Sequence, residues 1–369
     1  MDNSLHGGDL YKTARSFGIG EEAILDFSAN INSLGLSQEL RRVLLESIDK
    51  LVNYPDPMCN ELREEISVYL SVPKESIIAG NGASEMIHLL FDVLQPRKVL
   101  MPAPCFAEYE RSANIFGAEI CYYRLKEEDG FRLDIHDLFS YVTNHTDTIL
   151  LCNPNNPTSA LIPGEDLLEM IQYAESRNVN VIIDEAFIEL TVGGNSNSVV
   201  EYLNSCKNLY IIRALTKILA VPGLRLGYAL GDPAIVGKMW DRKIPWSVNT
   251  FACGIGKVLN SCPEYLLATA AWLEEEKEWL YNELTKISSL KIYKPDTNFV
   301  LIKILDKNLN AAALKALMIS KGILIRDACN FKFLDDKYVR VAVKERKANS
   351  ELVKALKEIL DYEYIDRNI

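Results

Sequence analysis

Short, almost continuously apolar segments alternate with amphipathic segments through most of this chain. The pattern predicts strands at 98–101, 119–123, 148–152, 179–183 and 209–212. Helical periodicity lies between them, at 86–94, 108–116, 133–141 and 167–177. Strands that are apolar on both faces and separated by helices indicate an α/β fold, with a mostly parallel sheet covered on both sides.

The two ends of the chain have different patterns. A helix at 10–17 and an extended segment at 25–35 predict an N-terminal arm, followed by helices at 40–51 and 59–70. After a long helical stretch at 265–287, strands at 299–304, 323–326 and 339–343 and helices at 311–319 and 352–360 predict a smaller α+β unit. We therefore expect an arm (1–38), a large domain (39–255) and a small domain (256–369).

Polar or aromatic residues follow four of the predicted strands. Phe106, Asn156, Asp184 and Lys217 each come shortly after an apolar segment. In open α/β sheets, ligands bind outside the carboxyl ends of the strands. We therefore expect these four side chains to meet at one site.

Lys217 lies between two strands that have a buried pattern, where an ammonium group is costly. Lysine forms Schiff bases with carbonyl cofactors, so this position suggests a pyridoxal phosphate (PLP) enzyme. Upstream, Gly80-Asn81-Gly82 leads directly into a helix that begins near Ala83 and Ser84. Free N–H groups at such a helix start favour a phosphate.

Two predicted strands of the small unit each carry an arginine, Arg326 and Arg340. Surface salt bridges are one interpretation. The other is bidentate binding of a carboxylate or phosphate, which suits a guanidinium group.

The formal net charge of −11 argues against nucleic acid or an anionic membrane as partner. Residues 1–10 lack a hydrophobic signal region, and no apolar run has membrane-spanning length. Eight scattered cysteines are typical of a reducing cytoplasm, and the four histidines show no metal-ligand spacing. We expect a cytoplasmic protein without a metal.

Three motifs, read together, carry a family resemblance: Asn-Pro-Asn-Asn-Pro-Thr at 153–158, Asp-Glu-Ala-Phe at 184–187, and Thr-Lys…Gly-Leu-Arg-Leu-Gly-Tyr at 216–228. The chain resembles the fold-type I PLP-dependent aminotransferase superfamily over essentially its whole length. This implies a large domain with a seven-stranded, mostly parallel sheet and a smaller α+β domain. Within the superfamily, it resembles the branch of histidinol-phosphate aminotransferases and threonine-phosphate decarboxylases. The segments 6–8 and 26–32, and Phe187 in place of the usual tyrosine, are similar to the decarboxylases.

The resemblance implies a role for each matching residue. Lys217 would bind PLP covalently, Asp184 would pair with the ring nitrogen, Asn156 would bind the 3-oxygen and Phe106 would stack on the ring. The cofactor phosphate would be bound by Ala83, Ser84, Thr216, Arg225 and, from a second subunit, Tyr54. This implies a homodimer with shared active sites.

The implied substrate is a small phosphorylated amino acid. Arg340 would bind its carboxylate region, and Arg326, with His6 and Asn32, its phosphate. The implied reaction is decarboxylation of L-threonine O-3-phosphate in cobalamin biosynthesis. The alternatives are an aminotransferase acting on histidinol phosphate or an aromatic amino acid, and a non-catalytic PLP-binding sensor. A sensor would need a DNA-binding domain, of which this acidic sequence gives no sign.

Three positions depart from the family pattern. Ala214 replaces a serine or threonine three residues before the lysine, which removes one expected hydrogen bond to the phosphate. Ser159 replaces the glycine after Asn-Pro-Thr, and Ser33 replaces the proline after Asn-Ile-Asn. None of them removes a predicted catalytic group.

Overall fold

The computed structural model describes residues 7–365, with side chains described as far as residue 360. The strands are β1 (Leu25–Asp26), β2 (Ile77–Gly80), β3 (Lys98–Ala103), β4 (Glu119–Arg124), β5 (Thr148–Cys152), β6 (Asn180–Asp184), β7 (Leu209–Arg213), β8 (Gly227–Leu230), β9 (Leu290–Ile292), β10 (Phe299–Ile304), β11 (Ile323–Leu324), β12 (Arg326–Asp327) and β13 (Tyr338–Ala342). The helices are α1 (Leu10–Phe17), α2 (Gln38–Glu46), α3 (Asn60–Leu70), α4 (Ala83–Leu94), α5 (Ala107–Ile115), α6 (Ile135–Phe139), α7 (Gly164–Glu175), α8 (Leu215–Ile218), α9 (Pro233–Arg242), α10 (Thr250–Gly254), α11 (Gly256–Ser261), α12 (Pro263–Leu284), α13 (Ala311–Ser320) and α14 (Arg346–Ile365).

The central sheet has seven strands in the order β2-β8-β7-β6-β5-β3-β4. Only β8 runs against its neighbours, so the expected mostly parallel sheet is confirmed. Neighbours along one strand, such as Leu150 and Leu151, are fully buried in different hydrophobic clusters. The sheet is therefore covered on both faces, which explains the nearly continuous apolar runs in its inner strands.

A second, antiparallel sheet has the order β12-β13-β10-β9 and packs with α12, α13 and α14 around its own core. The N-terminal segment is tied to this part of the molecule. The strand β1 pairs with β11, and Phe27 donates its N–H to the Leu324 carbonyl at 2.7 Å. The Phe27 carbonyl accepts from the Ala342 N–H at 2.8 Å. The chain just after Phe27 is thereby held beside β13.

Several helix boundaries differ from the sequence-based expectation, and two of the larger differences have a local cause. The helix predicted at 40–51 ends at Glu46 and continues as a 3-10 helix, and the Ser47 hydroxyl donates back to the Val43 carbonyl at 2.8 Å. The last helix begins six residues before the predicted range, because Arg346 and Asn349 donate to Glu276 of α12. Polar contacts of this kind leave no trace in apolar periodicity. Within residues 7–365, no helix combines the length and apolarity needed to cross a membrane.

Candidate active site

A cavity of about 350 Å³ opens at the carboxyl edge of the central sheet and reaches the small sheet. The structure brings most of the predicted site residues to it. They are Ala83, Ser84, Phe106, Asn156, Asp184, Thr216, Lys217, Arg225, Arg326 and Arg340. The convergence of parallel strand ends accounts for the central members of this set.

Lys217 lies on α8, the short helix that follows β7. Burial, with smaller contributions from the nearby Arg225 and Arg340, lowers the pKa of its amine to about 8, while Asp184 opposes this shift. Its Nζ lies 5.9 Å from the ring centroid of Phe187. An amine with this pKa is substantially neutral near pH 8, so it can act as a nucleophile and later return a proton.

Asp184 is the last residue of β6 and is 4% exposed. Its Oδ2 accepts the hydroxyl proton of Tyr109 at 2.7 Å, and its Oδ1 accepts the N–H of Ala186 at 2.9 Å. Burial raises the pKa of Asp184 to about 6, although these two donors pull it downward. The carboxylate is therefore fixed in place and ionised at neutral pH, as a partner for a protonated ring nitrogen must be.

The turn before α4 forms a cradle for a phosphate group. The helix starts at Ala83 after Gly82, which has a φ of +87° and no side chain to cap the first N–H groups. A Cβ at Gly82 would lie 2.6 Å from Arg225 Nη2, and one at Gly227 would lie 2.3 Å from the Ala83 nitrogen. Only glycine at these two positions allows such close contacts. The Arg225 guanidinium group and the N-terminus of α4 therefore lie next to each other.

Arg326 and Arg340 face one another across β12 and β13 and are 5% exposed each. Arg340 donates to Asn156 Oδ1 and, at 2.9 Å, to the Ser28 carbonyl. Arg326 donates to Asn330 Oδ1 at 2.8 Å. Burial and the charge of Arg326 lower the pKa of Arg340, but a guanidinium group stays protonated. Two buried cations side by side form a strong anion site.

Asn32, predicted to bind the substrate phosphate, does not line the cavity. The chain turns at 29–31, and the Asn32 amide donates to Ile218 O at 2.9 Å and Thr269 Oγ1 at 2.8 Å. Its backbone N–H also donates to the Lys217 carbonyl at 3.1 Å. Asn32 therefore supports the lysine-bearing helix, and Asn30 lines the cavity instead.

Sequence reasoning missed Asn30 and Tyr109. Asn30 is 3% exposed, and neither its Oδ1 nor its Nδ2 has a partner among the described residues. Such a buried amide is suited to binding a polar ligand. A sequence signal exists for Tyr109, which follows Phe106 by only three residues in the first turn of α5, and the centroids of the two rings lie 5.6 Å apart. No sequence signal shows which of Asn30 and Asn32 lines the cavity, because this depends on the turn at 29–31.

Two predicted site residues lie elsewhere or cannot be placed. Tyr54 does not line the cavity; it is 82% exposed, with its ring centroid 5.1 Å from that of Trp246. His6 lies outside the described residues. The adjacent Gly7 does line the cavity, and a Cβ there would lie 3.3 Å from Arg340 Nη2.

One of the family departures has a structural explanation. Ser159 has a φ of +66°, a conformation that favours glycine. Its hydroxyl accepts the backbone N–H of Thr297 at 3.0 Å, next to the small sheet. Ala214 lines the cavity with a methyl group and so offers no hydrogen bond. The first departure adds a bond between the segment after β5 and the segment before β10, and the second removes the hydroxyl expected at the phosphate.

The donor set fits PLP. The aldehyde would meet Lys217, the ring nitrogen Asp184, the 3-oxygen Asn156 and the ring face Phe106, with the phosphate between Arg225 and the start of α4. The amide of Asn30 and the Nε of Arg340 have no hydrogen-bond partner among residues 7–365, so both are polar groups that a substrate could bind.

Comparison with known proteins agrees with this geometry. Residues 22–356 match the family model "Aminotransferase class I and II". The threonine-phosphate decarboxylase of Salmonella typhimurium is 35% identical over 97% of both chains. The adenosylcobalamin biosynthesis bifunctional protein CobDQ of Leptospira interrogans is 33% identical over 96% of this chain and 41% of that protein. The crystal structure of the histidinol-phosphate aminotransferase from Clostridium acetobutylicum has a TM-score of 0.85 at 34% identity, covering 92% of this chain and 100% of that one. The chain therefore belongs to the aminotransferase class I and II family of PLP-dependent enzymes.

Proposed function

We propose that this enzyme decarboxylates L-threonine O-3-phosphate to (R)-1-amino-2-propanol O-phosphate, a step of cobalamin biosynthesis. The observation that carries the proposal is one cavity that holds Lys217 and Asp184 together with two buried arginines, Arg326 and Arg340. The proposed substrate has an amino group for the cofactor and two separate anionic groups for the arginines.

The charges around the arginines support an anionic substrate. Within the part of the chain that the structure describes, the hydrogen bonds of Arg340 go to neutral oxygens, those of Asn156 and Ser28. Its positive charge is therefore not neutralised by a bonded carboxylate, and Arg326 lies directly opposite. A carboxylate and a phosphate would remove this repulsion. We assign the carboxylate to Arg340 and the phosphate to Arg326, with Asn30 donating its amide N–H to an oxygen.

When PLP is bound, it supplies the electron sink that accepts the electron pair from the α-carbon. Asp184 remains ionised and stabilises positive charge at the ring nitrogen. Arg340 orients the carboxylate; the bond between the α-carbon and the carboxylate breaks, and CO2 leaves. Lys217 Nζ then delivers a proton to the α-carbon, so that hydrogen replaces the carboxylate.

The second candidate is histidinol-phosphate aminotransferase, and the similarity to the Clostridium acetobutylicum enzyme favours it. The two reactions differ in which bond to the α-carbon is aligned for cleavage. Phe187, which lies close to Lys217 and carries no hydroxyl, supports the decarboxylase because the aminotransferases of this branch usually have tyrosine here.

One assay separates the candidates. The purified holoenzyme is given phosphothreonine, phosphoserine or histidinol phosphate, each with and without 2-oxoglutarate, and both CO2 and glutamate are measured. We expect CO2 from phosphothreonine that does not depend on 2-oxoglutarate. Glutamate formation without CO2 would overturn the proposal in favour of the aminotransferase.

We also propose that the enzyme is a cytoplasmic homodimer in which Tyr54 reaches the cofactor phosphate of the second subunit. Four large apolar residues support this: Val52, Tyr54, Ile244 and Trp246 are 85%, 82%, 71% and 50% exposed. Exposed apolar surface of this kind marks protein interfaces. The eight cysteines are all free, in agreement with a reducing compartment.

Subunit complementation tests this arrangement. Lys217→Ala and Tyr54→Ala variants are each expected to be nearly inactive. In a mixed dimer, one site would have both Lys217 and the partner's Tyr54, so co-expression should restore activity. Activity no higher than that of the separate variants would exclude shared sites.

A further inference from the structure

Glu127 lies in the loop after β4, outside the cavity, and receives four hydrogen bonds from the small sheet and its flank. Its Oε1 accepts from Lys291 Nζ at 2.9 Å and from Tyr293 Oη at 2.8 Å. Its Oε2 accepts from Lys303 Nζ at 2.7 Å and from Tyr338 Oη at 2.9 Å. Both oxygens of a carboxylate that follows a strand of the central sheet are thus bound by donors from the small sheet, on β9, β10, β13 and the residue just after β9.

Three of these donors form one row across the small sheet. Lys291 is the register partner of Lys303, and Lys303 is the partner of Tyr338. Side chains two residues apart on a strand share a face and lie about 7 Å apart. Arg340 follows Tyr338 by two residues on β13, and Arg326 is its register partner. The row bound by Glu127 is therefore the neighbour of the row that carries the two arginines.

The bonding at Glu127 is more than an ordinary surface ion pair. Desolvation alone would raise the pKa of Glu127, but the bonds from Lys303, Lys291, Tyr293 and Tyr338 lower it to about 2. The carboxylate is consequently ionised throughout the working range of an enzyme. Three donors on three strands, together with Tyr293 just after β9, specify its position in a way that one flexible pair does not.

We propose that Glu127 is a positioning residue for substrate recognition, holding the row of Tyr338 so that Arg340 and Arg326 face the substrate. The inference rests on the proposed role of these arginines in binding the anionic groups of the substrate. Among the described residues, the hydrogen bonds of Glu127 reach none of the side chains predicted to bind PLP, so we expect its loss to affect substrate binding more than cofactor binding. Glu127 acts through the sheet and touches neither substrate nor cofactor.

The test is Glu127→Gln in the holoenzyme, which keeps the shape and removes the charge. We expect KM to rise by about 10-fold, the effect of weakening one charge-assisted contact, with kcat and the affinity for PLP within about 3-fold of wild type. Glu128→Gln, at the exposed neighbouring position, is the matched control and should leave KM unchanged. Tyr338→Phe removes one of the four donors and should raise KM less.

A purely structural role would give a different result. In that case kcat, PLP affinity and thermal stability would fall together, and KM would not change selectively; this outcome, or an unchanged KM, would overturn the inference. If Glu127→Gln does not fold, the KM-to-kcat split of Tyr338→Phe decides the question. The assay uses whichever phosphorylated compound the wild-type enzyme converts, with inorganic phosphate as competitive inhibitor. A failure of the proposed decarboxylation therefore remains distinguishable from a failure of this inference.

Discussion

The hydroxyl of Tyr109 donates to Oδ2 of Asp184 across 2.7 Å in a part of the site with no solvent exposure at Tyr109. The phenol comes from α5, which follows β3, while the carboxylate ends β6. The bond thus connects the residue beside the predicted ring-stacking Phe106 to the predicted partner of the ring nitrogen. It stabilises the ionised form of Asp184 against the opposing effect of burial.

Tyr109→Phe should therefore move the acid limb of the pH profile upward. Loss of a hydrogen bond to a charged group, about 1.5–3 kcal/mol, corresponds to a rise of about one to two units in the pKa of Asp184. Activity is lost as Asp184 becomes protonated, so the variant should lose kcat/KM at a higher pH than wild type. Measurement of kcat/KM from pH 5 to 9 checks this. Tyr123→Phe, which removes a tyrosine–aspartate bond of 2.9 Å outside the cavity, is the control; coincident profiles for Tyr109→Phe and wild type would contradict the prediction.

Asp184→Asn should stabilise the cofactor-free protein while removing most of its activity. The pKa of Asp184 is about 6 when folded, against 3.8 for the free side chain, so the folded state binds more protons between these values and loses stability as pH rises through this window. Ionisation of the buried Asp184 lowers the free energy of unfolding by about 3 kcal/mol at pH 8 and by about half of that at pH 5. Urea unfolding of both apoproteins at the two pH values measures the difference. If the stability of Asp184→Asn relative to wild type did not increase with pH, the pKa of this carboxyl would not be raised by burial.

Covalent loading of the apoprotein with PLP should depend on the neutral form of Lys217. With a pKa of about 8, the reactive fraction rises with pH and levels off above that value. Arg340→Gln removes a cation near Lys217, so the midpoint of the loading profile should move to higher pH. Arg340 is not itself a predicted ligand of PLP, although the substitution also removes its bond to Asn156. Borohydride trapping followed by mass spectrometry gives the loading rate at each pH. An unshifted midpoint would mean that Arg340 does not influence the lysine.

Asn30 and Asn32 give a matched pair of variants with opposite expectations. Asn30→Ala removes the unpartnered amide that lines the cavity, so it should raise KM about 10-fold with little effect on stability. Asn32→Ala removes the buried donor that binds the Ile218 carbonyl and the Thr269 hydroxyl, and it should destabilise the protein by about 1–3 kcal/mol. KM values and unfolding curves of both variants provide the check. If Asn32→Ala raised KM and Asn30→Ala did not, the original assignment of Asn32 to the substrate would be restored.

The contrast between these asparagines shows what the sequence could and could not predict. Asp184, Asn156 and Lys217 follow strands whose apolar pattern is unambiguous, and parallel strands bring their carboxyl ends together, so their convergence was predictable. Asn30 and Asn32 lie in one motif, and an extended chain would place both on the same face. The turn at 29–31 separates them, and no periodicity encodes it. Glu127 was not predictable for a further reason, because its four partners are about 160 or more residues away in the sequence.

The buried network around Arg213 should control stability rather than substrate binding. Arg213 is fully buried and donates to Glu185 at 3.0 Å, Glu189 at 3.0 Å and Ser198 at 2.6 Å. Arg213→Met would leave two carboxylates without their cation, and loss of one partner from a buried pair costs about 3–5 kcal/mol.

Arg213→Lys should recover little of this loss, because an ammonium group cannot reproduce the planar set of donors. Arg97→Met serves as the control, since the Arg97 side chain is 90% exposed and lies 3.7 Å from Asp147; we expect a change of less than about 1 kcal/mol there. Urea unfolding of the three variants measures the free energies, and KM is determined on the folded fraction. Glu185 and Glu189 flank Phe187 in the sequence, and Phe187 lines the cavity. A stable Arg213→Met variant with a raised KM would therefore contradict the prediction and show that this network also shapes the substrate site.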